Sequence, residues 1–164
     1  MLVKRVLTAV FLVPLVIIAT LNLESSELLL VMMPVLFISS WEYSGLIKIK
    51  HWVTKALYAS ALMTAAYFLN QTSFFLMPLL IITLFWWVIN SFWIINFPSH
   101  TRYWHNYLTT RLVNGFFFFV PLIVALSALH QIDNTLVLLL LALIWSADTG
   151  AYICLLYTSD AADE

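Results

Sequence analysis

Charge is what this sequence has least of. Only 9% of its 164 residues are Asp, Glu, Lys or Arg, against about 25% in soluble domains, and long windows hold none. That scarcity excludes a water-soluble globular domain, and no nucleic acid is expected as a partner. The single cysteine, Cys154, lies near the end of the chain, so disulfides and thiolate metal sites play no part. No Walker loop, G-x-S-x-G elbow or dinucleotide-binding fingerprint occurs. The N-terminus begins basic and turns apolar like a signal peptide, yet no A-x-A-like cleavage site follows it. It reads as an uncleaved first membrane span.

What is present is apolar. Hydrophobic residues make up 63% of the chain, arranged in runs that approach or exceed the roughly 18 residues needed to cross a bilayer as a helix. The expectation is an all-α, polytopic integral membrane protein with about six transmembrane helices. The spans are placed at Val6–Leu23, Leu28–Ile47, Trp52–Leu69, Phe74–Ile95, Leu112–Leu129 and Leu136–Ile153, with residues 1–153 forming one transmembrane region. The third is the least apolar, because Lys55 must snorkel to an interface. Pro14, Pro34 and Pro121 fall inside spans, where neighbouring helices re-satisfy the carbonyls that proline frees.

The few charges are ordered. Lys4 and Arg5 precede the first span, Lys48, Lys50 and Lys55 surround the second junction, and Arg102 and Arg111 lie between the fourth and fifth spans. These are alternate loops, so all seven basic residues fall on one face, and the positive-inside rule makes that face cytoplasmic. The opposite loops carry Glu24, Glu27 and Asp133 and no Lys or Arg. The longest loop, "NFPSHTRYWHNYLTTR", mixes Tyr103, Trp104 and Tyr107 with Arg and His, as an interfacial segment does.

Two carboxylates are out of place. Asp148 lies twelve residues into a span counted from Leu136, about 18 Å along the axis, where a carboxylate costs at least about 2.5–3.5 kcal/mol and needs a partner, water or metal. Its neighbours Ser146, Ala147, Thr149 and Gly150 are small and admit a close approach. On local grounds it is either a functional acid or a structural one joining helices. Glu42, in "SSWEYSGL", sits at the cytoplasmic end of the second span between Trp41 and Tyr43 and reads as structural, reaching water or pairing with Lys48 or Arg5. His51, His100, His105 and His130 form no ligand set with carboxylates or thiols. The "GFFFFVP" run reads as lipid-facing or packed helix.

Taken together, "LIWSADTGAY", the basic N-terminus "MLVKRVLTAVFLVPLVI" and "SSWEYSGL" resemble, in order, three segments of the phosphatidate cytidylyltransferases, also called CDP-diacylglycerol synthases. The resemblance covers Met1 to about Ile153. It implies an integral membrane enzyme that transfers a cytidylyl group from CTP to phosphatidate, giving CDP-diacylglycerol and pyrophosphate, in the bacterial inner membrane. It also implies a Mg2+ or similar divalent cation, none of whose ligands can be assigned here. Asp148 is carried over as the candidate catalytic residue, with Ser146, Thr149 and Tyr152 as candidate substrate-binding residues. The partners implied are phosphatidate, CTP and the lipid bilayer, and a homo-oligomer stays open.

Beyond "DTGAY" the family continues with further spans and a C-terminal signature that supplies metal-binding carboxylates. Here "CLLYTSDAADE" follows, which resembles the translation of a transposase sequencing adapter. Residues 154–164 are therefore expected to be non-native, and the chain inactive by itself. Two other classes remain open on the residues alone: a transporter or channel using Asp148 as an ion or proton site, and a non-catalytic membrane subunit.

Overall fold

A computed structural model describes residues 2–97 and 107–160; the side chains of residues 2–6, 8, 153 and 156–160 are not described. The aromatic loop with Arg102, His100 and His105 falls outside these residues. The described residues form helices and no strand, as apolar runs must when backbone groups have no water to bond. In chain order they are α1 (Leu2–Asn22), α2 (Ser25–Leu46), α3 (Trp52–Asn70), a short 3-10 turn (Ser73–Phe75), α4 (Leu76–Ile95), α5 (Leu108–Ile132) and α6 (Asn134–Asp160).

Each expected span overlaps one of these helices, and Pro14, Pro34 and Pro121 all lie inside them. Four segments are long and apolar enough to cross a membrane: Ser25–Leu46, Ser73–Ile95, Leu108–Ile132 and Asn134–Tyr152. The protein is an all-α integral membrane protein. The apolar part of α1, Ala9–Asn22, is shorter than these, and α3 carries Lys55 in its first turn. The final helix runs past the expected end at Ile153 to Asp160.

Local chemistry sets several helix ends. The Glu24 N–H donates to the Glu27 carboxylate (3.0 Å), satisfying an orphan donor where α2 begins. At the start of α6 the Asp133 carboxylate accepts from the Thr135 N–H at 2.8 Å and from its hydroxyl. Those bonds, the hydroxyl first, hold the Asp133 carboxyl below its ordinary value. At the end of α2, Lys48 takes a left-handed conformation, φ 68°. Its N–H donates to the Gly45 carbonyl and that of Ile49 to the Ser44 carbonyl, both at 3.0 Å, which closes the helix.

The helices group into two units. In the larger, Glu24–Ala128, the core is built from Leu29, Met33 and Leu36 of α2, Leu62 and Ala66 of α3, Leu79 of α4, and Phe119, Val120, Ile123 and Val124 of α5. The phenylalanine run divides: Phe119 is buried here while Phe118 is exposed. The Trp86 indole donates to the Asn114 side-chain oxygen across α4 and α5 (2.8 Å) and stacks on Phe117, centroids 5.3 Å apart.

One contact in this unit depends on a missing side chain. The Tyr43 hydroxyl donates to the Arg111 carbonyl (2.7 Å) and the Tyr58 hydroxyl to the Leu112 carbonyl (3.0 Å), tying α2 and α3 to the first turns of α5. Both phenols enter through the space left by Gly115, where a Cβ would lie 2.1 Å from the Tyr58 hydroxyl and 2.5 Å from the Tyr43 ring.

The second unit contains α1 and α6, which pack together, and the end of α5. His130 is buried in the last turn of α5. Its Nε2 lies 2.8 Å from the Thr20 carbonyl, so that nitrogen carries the proton.

Candidate active site

The groove between α1 and α6 is built from two matching faces. On α1, Ala9, Leu12 and Val13 line it; on α6, Trp145, Asp148 and Thr149 do. Each set follows the i, i+3, i+4 spacing that puts three side chains on one helical face. The cavity has a volume of about 360 Å³ and its lining is mostly apolar. Among the described residues Asp148 is the only ionisable side chain that lines it.

Asp148 lies fourteen residues from Asn134, the first residue of α6, so about 21 Å along the helix axis. It is exposed on the helix surface, and among the described residues no donor reaches its carboxylate. Gly150, two residues on, would meet nothing within 4 Å if it carried a Cβ. Among the described residues no helix makes a close approach at Gly150. A carboxylate at that depth with apolar walls is costly without a polar or cationic counterpart. The groove therefore presents a carboxylate, without a cationic partner among the described residues, to whatever enters it, with the Thr149 side chain beside it.

The other candidates distribute unevenly. Thr149 shares the groove. Ser146, two residues before Asp148, comes off the helix on another side and donates its hydroxyl to the Leu143 carbonyl (2.9 Å). Tyr152 is exposed and one turn beyond Asp148, but is not among the groove-lining residues. Glu42 is exposed and, among the described residues, pairs with neither Lys48 nor any other cation.

The divalent cation that the resemblance implies was tested against the donors present. Among the described residues no group of three or more His, Cys, Asp or Glu comes together. Asp148 and one threonine hydroxyl supply two oxygens, far fewer than a dedicated protein cage for such an ion needs. The described residues do not constitute a metal site.

Comparison with known proteins gives the arrangement its context. The model of the "Cytidylyltransferase family" matches residues 3–155. The chain belongs to the cytidylyltransferase family. A curated member, the phosphatidate cytidylyltransferase of Pseudomonas aeruginosa, is 29% identical over 157 residues, covering 93% of this chain and 56% of that protein. The chain thus spans about half the length of the curated relative it matches. No solved structure matches it. The family match takes in both faces of the groove, "DTGAY" with Asp148 included, and ends at Leu155, one residue after Cys154.

Sequence reasoning passed over the Tyr58–Gly115–Arg111 contact. One signal was available: a glycine inside a helix that otherwise reads "RLVN-FFFF" is unfavourable by propensity and marks a close approach.

Proposed function

We propose that this chain is the N-terminal membrane part of a phosphatidate cytidylyltransferase, which joins phosphatidate to CTP in the bacterial inner membrane. A phosphate oxygen of phosphatidate attacks the α-phosphorus of CTP; the bond from that phosphorus to the bridging oxygen breaks, and pyrophosphate leaves. The observation that carries the reading is Asp148, a carboxylate with no partner among the described residues, in an apolar groove within a segment that matches the family. Phosphoryl-type transfer depends on positioning and on charge placed where charge develops. Asp148 supplies a fixed negative charge able to orient a cationic group that holds the phosphates, and the groove's apolar walls keep water from weakening it. A bound divalent cation would neutralise the triphosphate. Its ligands are proposed to lie outside the described residues, so residues 1–164 alone are expected to be inactive.

Isotope placement tests the reaction. In the product of the uninterrupted gene, label from the α-phosphorus of CTP is expected in the lipid product and γ-label in pyrophosphate. Transfer of γ-label to lipid marks a kinase and rejects the proposal.

The proposed orientation puts both ends of α1–α6 in the cytoplasm, since the basic residues occupy alternate loops. Six crossings are required, α1 and α3 among them. With Cys154 replaced, single cysteines near Lys50 and His105 are expected to label from the cytoplasm, and those near Ser25, Gln71 and Asp133 from outside. Labelling of position 71 from the cytoplasmic side removes α3 as a span. Residues 154–164 are proposed to be adapter-derived; genomic reads crossing that junction in frame would show otherwise.

A further inference from the structure

A second cavity, of about 450 Å³, lies in the Glu24–Ala128 unit and is lined by Lys48, Thr54, Tyr58, Leu108 and Arg111 among others. It shares no residue with the Asp148 groove. We propose that it binds a phosphate group, held between Lys48 and Arg111. The inference is independent of the reaction proposed above.

Charge is the first ground. Among the described residues two cations line the cavity and no carboxylate does. Among the described residues neither Lys48 nor Arg111 forms an ion pair. The guanidinium is also under-satisfied: Nη1 donates to the Ile47 carbonyl at 2.8 Å, while Nε is buried with no acceptor. An anion in the cavity supplies the counter-charge that the protein does not.

Backbone geometry is the second ground. The left-handed Lys48 closes α2, and the turn so formed carries Lys48 to the cavity, which its side chain lines. The negative carbonyl end of α2 would repel an anion, but the Lys48 and Ile49 N–H groups and the Arg111 guanidinium already occupy its Gly45, Ser44 and Ile47 carbonyls. Leu108 brings the first turn of α5 to the same cavity, and the N-terminal end of a helix favours negative charge.

Position is the third ground. Lys48, Lys50 and Lys55 follow or begin helices at one end of this unit, and the Arg111–Ile47 contact brings the start of α5 there too. The basic end of a membrane protein is where it meets phosphate headgroups.

The phosphate arrives either on a lipid or in solution, and one experiment separates the two. The full chain is placed in phosphatidylcholine nanodiscs doped with phosphatidate or phosphatidylglycerol, and retained lipid is measured by native mass spectrometry. CTP and inorganic phosphate serve as soluble competitors. Lys48→Asn removes the charge yet suits the left-handed backbone, since asparagine is enriched there. It is expected to weaken retention of the phosphate-bearing lipid by about fivefold. Lys50→Asn, which alters an exposed lysine not lining the cavity, is expected to leave it unchanged. Displacement by CTP or inorganic phosphate, lost with Lys48→Asn, keeps the site and assigns it a soluble phosphate. Equal losses for both variants, or none for either, reduce the cavity to ordinary surface charge and overturn the proposal.

Discussion

Asp148→Asn in the complete enzyme is expected to lower CTP-dependent synthesis of CDP-diacylglycerol by about a hundredfold or more, on the order of 2.7 kcal/mol of transition-state stabilisation. Asparagine keeps the size of the side chain and removes its charge. Expression and membrane insertion are expected to stay near normal, because a neutral amide is cheaper than a carboxylate at that depth. The structure sharpens this contrast. Asp148 is exposed in a groove and holds no hydrogen bond among the described residues, so those residues lose no contact when it is replaced. A carboxylate that orients a cationic group around the triphosphate loses its function with its charge. Turnover by the Asn variant close to that of the parent would leave Asp148 a packing residue and remove the site assignment.

Gly115→Ala is expected to destabilise the Glu24–Ala128 unit by about 2–4 kcal/mol, read as unfolding in detergent. The added Cβ would sit 2.1 Å from the Tyr58 hydroxyl and 2.5 Å from the Tyr43 ring, and both phenols are hydrogen-bonded to carbonyls of α5. Two such bonds contribute about 0.5–1.5 kcal/mol each, and overpacking adds roughly 1–3. The helix propensity of alanine returns about 1. Tyr58→Phe removes the nearest obstructing atom, so the double variant is expected to be more stable than the sum of the two single changes predicts. A Gly115→Ala protein as stable as its parent would mean that the phenols do not need that space.

Much of the architecture was legible in the sequence, and for a local reason. In hydrocarbon a backbone has no water to bond, so an apolar run of about 18 residues closes its hydrogen bonds within itself as a helix. The helices therefore lie where the apolar runs lie, prolines included. The helices reach beyond the expected spans. The fifth span is expected to begin at Leu112, beside a charge, whereas α5 begins at Leu108 and carries Arg111 inside its first turns. A helix does not end where the hydrocarbon does, and an arginine at the interface can both continue it and bond a neighbour. Asp148 was visible because one carboxylate in a run of leucines is conspicuous whatever the fold.

Other features needed the third dimension. That Ala9, Leu12 and Val13 face Asp148, that Ser146 turns to the Leu143 carbonyl, and that Tyr43 and Tyr58 meet α5 at partners 68 and 54 residues away are all decided by packing. A soluble helix announces its buried face by an apolar stripe. In a bilayer, lipid tails are as apolar as leucine, so hydrophobicity does not tell the face toward a neighbour from the face toward lipid. Shape and hydrogen bonding make that choice, through contacts such as the space above Gly115. The sequence by itself therefore determined that helices form, roughly where, and that one carries a carboxylate; which faces meet was left to the tertiary structure, because steric fit and polar pairing between distant segments are the only forces that distinguish one apolar face from another.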